Sequence, residues 1–254
     1  MPYPIGPLVS RAVIRPNEFA LIPSCGLVNN VIPGFTKCRC SILASPKMGA
    51  SFVHYSITAE PGGACDGFGG EGIETFIFVR SGNLQVKTGG KAHELASGGY
   101  IYAAPGEILS FANASREETR IVLYKQRFVP LPKSGDLPWT VVGNVNDIPQ
   151  REYDGMANVF IQDLLPTDLA FDMNMHILSF LPGGGHPFVE THIQEHGAHL
   201  LSGEGMYNLG NEWYTVEKED YIWFGPYVPQ AAYATGREPL TYIYSKDCNR
   251  DAAI

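Results

Sequence analysis

Residues 182–203 read PGGGHPFVETHIQEHGAHLLSG, and residues 61–82 read PGGACDGFGGEGIETFIFVRSG. Both stretches begin with Pro-Gly-Gly and end with Ser-Gly, and they lie 121 positions apart. At that offset, and without gaps, residues 54–127 match residues 175–248 at 13 of 74 positions. Because turn glycines and strand-end prolines recur in register, the comparison predicts a duplicated unit.

Short runs of β-branched and aromatic residues, separated by Gly, Pro, Asn and Asp, predict an all-β fold. Together with the repeat, they predict two tandem β-barrels, with residues 1–140 in the N-terminal barrel and residues 141–254 in the C-terminal barrel. Only residues 144–150 show weak helical potential. The six clearest strand runs are FVHYSI at 52, TFIFVRSG at 75, YIYAAP at 100, RIVLYKQRF at 120, MHILSFLPGG at 175 and TYIYSK at 241.

Composition excludes several classes of partner. A net charge of −8 on 254 residues argues against nucleic acid, which normally binds a basic face. No apolar run approaches the roughly 20 residues of a membrane span, and the N-terminal segment lacks the continuous apolar stretch of a signal peptide. We therefore expect no membrane partner. The five scattered cysteines favour reduced thiols, so we expect a cytoplasmic protein. Aromatic and proline residues near the N-terminus indicate a homo-oligomer.

The two copies differ in their metal-capable residues. Glu190, His192 and His196 align with Gly69, Glu71 and Thr75 of the first copy, so only the second copy is predicted to hold a site. On one straight strand, residues 190 and 196 would lie about 20 Å apart, whereas the ligands of one metal must converge within a few ångström. The chain is therefore expected to turn between His192 and His196.

The pattern of Gly185, E-x-H-x3-H and Gly203 resembles the first cupin motif, with glutamate and histidine exchanged relative to its commonest form. The run EDYIWFGPYVPQ (219–230) resembles the second motif, with Gln230 at the position usually held by histidine. With GFGGEGIETFIFV, FDMNMHILSF and YIYSKDCNRD, nearly the whole chain is similar to the bicupin (S)-ureidoglycine aminohydrolases of purine catabolism.

The resemblance implies a fold, a cofactor and site residues. It implies two cupin (jelly-roll-like) barrels and one Mn²⁺ per chain in the C-terminal barrel, with the first barrel's site degenerate. The substrate would be a small ureido compound, (S)-ureidoglycine, which loses ammonia to give (S)-ureidoglycolate. The metal ligands would be Glu190, His192, His196 and Gln230; the substrate-binding residues Tyr207, Tyr242 and Gln230; and the catalytic residues Glu190 as base and Lys246 as acid.

Other interpretations stay open at this level. Lys125 aligns with Lys246, which allows a structural role for that lysine, and Tyr207 and Tyr242 lie in runs where aromatic packing is common. His186 precedes the motif and is expected to be structural. Two alternative functions are a metal-dependent cupin dioxygenase and a non-catalytic metal-binding bicupin. The remaining histidines, which we expect to be structural, are His54, His93, His176 and His199.

Overall fold

A computed structural model describes residues 10–132 and 135–252, and strands dominate it. In the first half these are β1 (Val13–Arg15), β2 (Phe19–Ile22), β3 (Phe35–Ala44), β4 (Phe52–Gly69), β5 (Ile73–Ser81), β6 (Asn83–Thr88), β7 (Lys91–Ala96), β8 (Gly99–Ala103), β9 (Ile108–Ala112) and β10 (Thr119–Arg127). In the second half they are β11 (Val141–Asn144), β12 (Arg151–Glu152), β13 (Val159–Asp163), β14 (Met173–Phe180), β15 (His196–Ser202), β16 (Glu204–Leu209), β17 (Glu212–Glu217), β18 (Tyr221–Phe224), β19 (Gln230–Ala234) and β20 (Leu240–Asp247).

The predicted all-β fold and its duplication are confirmed. Each of the six predicted runs overlaps a strand, and β4 to β10 recur in order as β14 to β20. The weak helical signal near 144–150 corresponds to a single 3-10 turn, Val145–Asp147; another lies at Ser24–Gly26. Within the described residues, no helix has the length and apolar character needed to cross a membrane.

The two units exchange a strand near the start of each half. Strand β2 pairs with β18 of the second unit, with Ala20 opposite Trp223. Strand β11 pairs with β8 of the first unit, with Val141 opposite Tyr102. Both residues of the second pair lie 121 positions from their counterparts in the first, so the exchange follows the repeat residue by residue. The sheets therefore cross the predicted division at residue 140, because each unit completes its sheet with a strand from the other half.

Three apolar layers hold the molecule together. One fills the first unit and includes Ile57, Leu109 and Ile121. A second fills the second unit, and the exchanged strand β2 contributes Phe19 and Leu21 to it. The third contains residues of both halves, so it joins the outer faces of the two sheets. Since these layers are almost fully buried, their removal from water supplies most of the driving force for folding.

One strand differs between the units in a way that creates the site. In the first unit, β4 runs unbroken over 18 residues and pairs with both β10 and β9. In the second unit, β14 ends at Phe180, and the chain continues as a loop to His196. This loop forms no continuous strand; backbone hydrogen bonds tie it to β19 at separate points, including isolated bridges of Gly185 to Tyr233 and of Glu190 to Gln230. The second barrel is therefore open along one side.

Candidate metal and substrate site

The open side of the second barrel leads into a cavity of about 400 Å³. All of the predicted site residues line it. The loop 181–195 contributes Glu190 and His192, the beginning of β15 contributes His196, and β19 contributes Gln230. The full lining is Tyr153, Leu178, His186, Phe188, Val189, Glu190, Thr191, His192, His196, Ala198, Tyr207, Gln230, Tyr242, Tyr244 and Lys246.

Strand β20 supplies one wall of the cavity through the alternation of a β-strand. Tyr242, Tyr244 and Lys246 face the cavity, whereas Ile243 packs in the layer between the two units. Tyr244 was not predicted from the sequence, although its position between Tyr242 and Lys246 with a period of two was the available signal. Lys246 lies opposite Asn174 of β14.

The predicted turn between His192 and His196 is confirmed. The chain bends at Ile193, and the two imidazole rings approach to 4.9 Å between centroids. His192 Nδ1 lies 3.0 Å from the Gln194 carbonyl oxygen, and His196 Nδ1 lies 2.7 Å from the Ser245 carbonyl oxygen. Because a carbonyl only accepts, each Nδ1 carries the proton and each Nε2 keeps its lone pair. This is the tautomer that binds a divalent metal through Nε2.

Glu190 and Gln230 form a second pair in the cavity. Gln230 Nε2 donates to Glu190 Oε2 over 2.5 Å, and the Tyr207 hydroxyl donates to Gln230 Oε1 over 3.2 Å. Among the residues that the structure describes, no three His, Cys, Asp or Glu side chains converge closely enough to hold a metal ion. Two imidazoles, a carboxylate and an amide around one cavity nevertheless match the ligands of a divalent first-row ion, so the donor set fits.

The electrostatics of the cavity favour the neutral form of His192 and His196. Burial lowers the pKa of His196 well below its usual range and also lowers the pKa of His192, and the Lys246 charge acts in the same direction on both. Burial raises the pKa of Glu190, while the hydrogen bond from Gln230 and the charge of Lys246 oppose that shift. A carboxylate with a raised pKa accepts a proton more readily, which suits a base.

His186 was expected to be structural, and the structure places it against the cavity. Its side chain is 3% exposed, and its Nε2 lies 3.8 Å from Glu190 Oε2. The other four histidines lie elsewhere. His176 pairs with Asp163, His54 contacts the Tyr221 hydroxyl, His199 contacts Arg80, and His93 lies on β7.

The first barrel carries apolar residues at four of the equivalent positions. Leu109 replaces Gln230, Val86 replaces Tyr207, and Ile121 and Leu123 replace Tyr242 and Tyr244. Each of these four apolar side chains is at most 1% exposed, so they belong to the buried interior of the first barrel. Lys125, which aligns with Lys246, lies over the Tyr55 ring at 5.4 Å.

Comparisons with known proteins identify the family of this chain. The cupin-domain family model matches residues 176–245, which include the second motif and most of the cavity. An (S)-ureidoglycine aminohydrolase of Escherichia coli K12 is 53% identical over 249 residues, covering 97% of this chain and 95% of that protein. This chain belongs to the (S)-ureidoglycine aminohydrolase family.

Further members of the family extend the match. The (S)-ureidoglycine aminohydrolase of Arabidopsis thaliana is 31% identical over 247 residues, covering 96% of this chain and 80% of the plant protein. The crystal structure of E. coli protein YlbA is 50% identical and superposes with a TM-score of 0.88, covering 97% of this chain and 98% of that chain. The resemblance seen in the sequence and the bicupin fold it implied are thereby confirmed.

Proposed function

We propose that this chain hydrolyses (S)-ureidoglycine to (S)-ureidoglycolate and ammonia, a step in the breakdown of purines through allantoin. Water supplies the hydroxyl group that replaces the amino group on the central carbon, and the C–N bond to ammonia breaks. What carries the proposal is that Glu190, His192, His196 and Gln230 line one cavity in a chain so similar to the E. coli (S)-ureidoglycine aminohydrolase.

The proposed cofactor is one Mn²⁺ per chain, held in the C-terminal barrel by Glu190, His192, His196 and Gln230. The Nε2 lone pairs of both histidines and the lack of any thiolate among the cavity-lining residues support a hard or borderline divalent ion. When bound, such an ion would act as a Lewis acid and as a template for the substrate. Gln230 is also proposed to contact the substrate.

Glu190 and Lys246 are the proposed proton-transfer residues. Glu190, whose pKa is raised by burial, takes a proton from the attacking water. The Lys246 ammonium, on the β20 wall of the same cavity, gives a proton to the departing amino group. Tyr207 and Tyr242 are buried at the cavity, where their hydroxyl groups are proposed to contact the substrate.

Ammonia release from freshly generated (S)-ureidoglycine, with and without added Mn²⁺, tests the activity. We expect Mn²⁺-dependent release, about one divalent ion per purified chain, and loss of that ion in His192→Ala. Two ions per chain, or full retention in His192→Ala, would show that the metal lies elsewhere. Oxygen consumption by the iron-loaded protein, without ammonia release, would instead identify a dioxygenase.

The proposal also includes assembly into a homo-oligomer and location in the cytoplasm. A homo-oligomer is supported by large apolar side chains that remain exposed, including Val31, Phe188 and Tyr227 at 96%, 61% and 65%. Part of the N-terminal segment that indicated assembly, residues 1–9, lies outside the described residues. All five cysteines are described and are free thiols, which supports the cytoplasm. Light scattering of the purified protein measures the assembly state.

A further inference from the structure

His186 lies on the loop between β14 and β15, and two hydrogen bonds with one residue fix its position. Its backbone N–H donates to the Ala232 carbonyl over 3.0 Å, and the Ala232 N–H donates to its ring Nδ1 over 2.9 Å. The ring also packs against Phe180, with 5.1 Å between centroids. A ring turned over by 180° would place a C–H group against the Ala232 N–H, so these contacts define its orientation.

The bond to Ala232 determines which ring nitrogen of His186 carries the proton. Because Nδ1 accepts, the proton of the neutral ring is on Nε2. His186 Nε2–H therefore faces Glu190 Oε2, from which it is 3.8 Å away.

Two N–H donors consequently face the same oxygen of Glu190. Gln230 Nε2 donates to Oε2 over 2.5 Å, and His186 Nε2 approaches that oxygen from the loop. We propose that His186 is a positioning residue that, with Gln230, holds Oε2 of Glu190 and leaves Oε1 as the oxygen available to the metal and to the proton. This role rests on the proposed metal site. Partners that orient a ligating carboxylate in this way typically change metal affinity or activity by about 10–100-fold.

Two substitutions separate the contributions of the two ring nitrogens of His186. His186→Asn keeps an acceptor for the Ala232 N–H at the place of Nδ1 but is too short to reach Glu190. His186→Gln extends an amide N–H toward Glu190 but leaves the Ala232 N–H without an acceptor. Mn²⁺ titration of the full chain, followed by the electron paramagnetic resonance signal of free Mn²⁺, measures affinity, and thermal unfolding of metal-free protein measures stability.

We expect the variant with the higher unfolding temperature to have the lower affinity for Mn²⁺. His186→Asn should unfold near the wild-type temperature yet bind Mn²⁺ about 10–100-fold more weakly. His186→Gln should unfold about 3 °C lower or more, yet bind Mn²⁺ more tightly than His186→Asn. Wild-type affinity in His186→Asn, or affinities that follow the unfolding temperatures, would overturn the role of His186 alone. A wild-type protein that binds no divalent ion would overturn the proposed metal site and this role together.

Discussion

Three histidines of the cavity differ in which ring nitrogen carries the proton, because their Nδ1 atoms face different backbone groups. His192 and His196 face carbonyl groups through Nδ1, which leaves Nε2 as a lone pair. His186 faces an N–H group through Nδ1, which makes Nε2 a donor. The spacing of residues 190–196 could predict that the chain turns and brings Glu190, His192 and His196 to one cavity. It could not predict the position of His186, since that depends on β19, more than 40 residues away.

At the residue scale, we expect Lys246→Met to lower turnover of (S)-ureidoglycine by about 10²-fold or more, because a general acid usually contributes on this scale. Metal content and the unfolding temperature should stay near the wild-type values, since Lys246 is not a proposed ligand. Steady-state kinetics of ammonia release, with metal analysis of the same samples, measures both.

Lys125→Met is the matched control for Lys246→Met. Lys125 occupies the equivalent place in the first barrel, where it lies over the Tyr55 ring, far in sequence from any proposed ligand. Its substitution should leave turnover per folded chain nearly unchanged. Equal losses of turnover in the two variants would mean that the lysine is a structural feature of the repeat, and the role of acid would have to pass to another residue.

At the scale of elements, the duplication was predictable but the strand exchange was not. Turn glycines and strand-end prolines recur in register, which identifies seven corresponding strands, β4 to β10 and β14 to β20. By contrast, the pairing of Ala20 with Trp223 joins residues about 200 positions apart, and neither strand differs in local pattern from one that pairs nearby. The open loop before His196 was likewise not predictable from its own sequence. Residues 181–195 are recognised as lacking a strand only when they are compared with β4 of the first unit.

Two residues that correspond in the repeat differ in burial, which predicts different costs for their substitution. Leu21 of β2 is 1% exposed inside the second barrel, so Leu21→Ala should lower the free energy of unfolding by about 2–5 kcal/mol. Val142 of β11, its counterpart in the repeat, is 41% exposed, and Val142→Ala should cost about 0.5 kcal/mol or less. Urea unfolding monitored by tryptophan fluorescence measures the difference. Equal costs would contradict the burial of Leu21 inside the second barrel.

At the scale of the whole molecule, the layer between the units contains two related polar clusters. Glu195 of the second unit accepts hydrogen bonds from Trp223 Nε1 and from Ser51 Oγ, at 2.5 and 2.6 Å. Glu74, its counterpart in the repeat, accepts a hydrogen bond from the Tyr102 hydroxyl. Asp172 occupies the place that corresponds to Ser51.

The second cluster therefore brings two buried carboxyl groups together. Burial raises the pKa of Glu74 well above its usual range, and the nearby Asp172 charge raises it further. Burial also raises the pKa of Asp172, whose Oδ1 has no hydrogen-bond partner among the described residues. A proton on either carboxyl group removes the repulsion between the two charges, so the folded state keeps a proton up to a higher pH than the unfolded state does.

Because both pKa values are raised, the pair stabilises the folded state more at low pH than at high pH. The stabilisation by the shared proton is fully present below the ordinary carboxyl pKa of about 4, and it is lost as pH rises through the raised pKa of the pair. In Asp172→Asn, the amide can accept from the Val129 N–H in place of Oδ2 and donate to Glu74 without a proton. We expect Asp172→Asn to match the wild type near pH 4 and to be about 1–3 kcal/mol more stable near pH 8, as measured by urea unfolding at each pH.

Ser51→Asp provides the complementary test in the other cluster. It would place a second carboxyl group beside Glu195, so its stability relative to the wild type should decrease as pH rises. A difference between Asp172→Asn and the wild type that stays constant from pH 4 to pH 8 would contradict the shared proton.

The exchanged strands also bear on the history of this chain. Two separate single-barrel chains that swapped their first strands would form a twofold dimer with the pairings seen here, β2 on β18 and β11 on β8. Joining such chains end to end requires only a connection from the end of β10 at Arg127 to the start of β11 at Val141. After such a fusion the two barrels no longer share one sequence, so mutations can fill one interior with apolar residues while the other retains its cavity. In a symmetric dimer of identical chains, every substitution occurs in both barrels, so one barrel cannot lose its cavity while the other retains it.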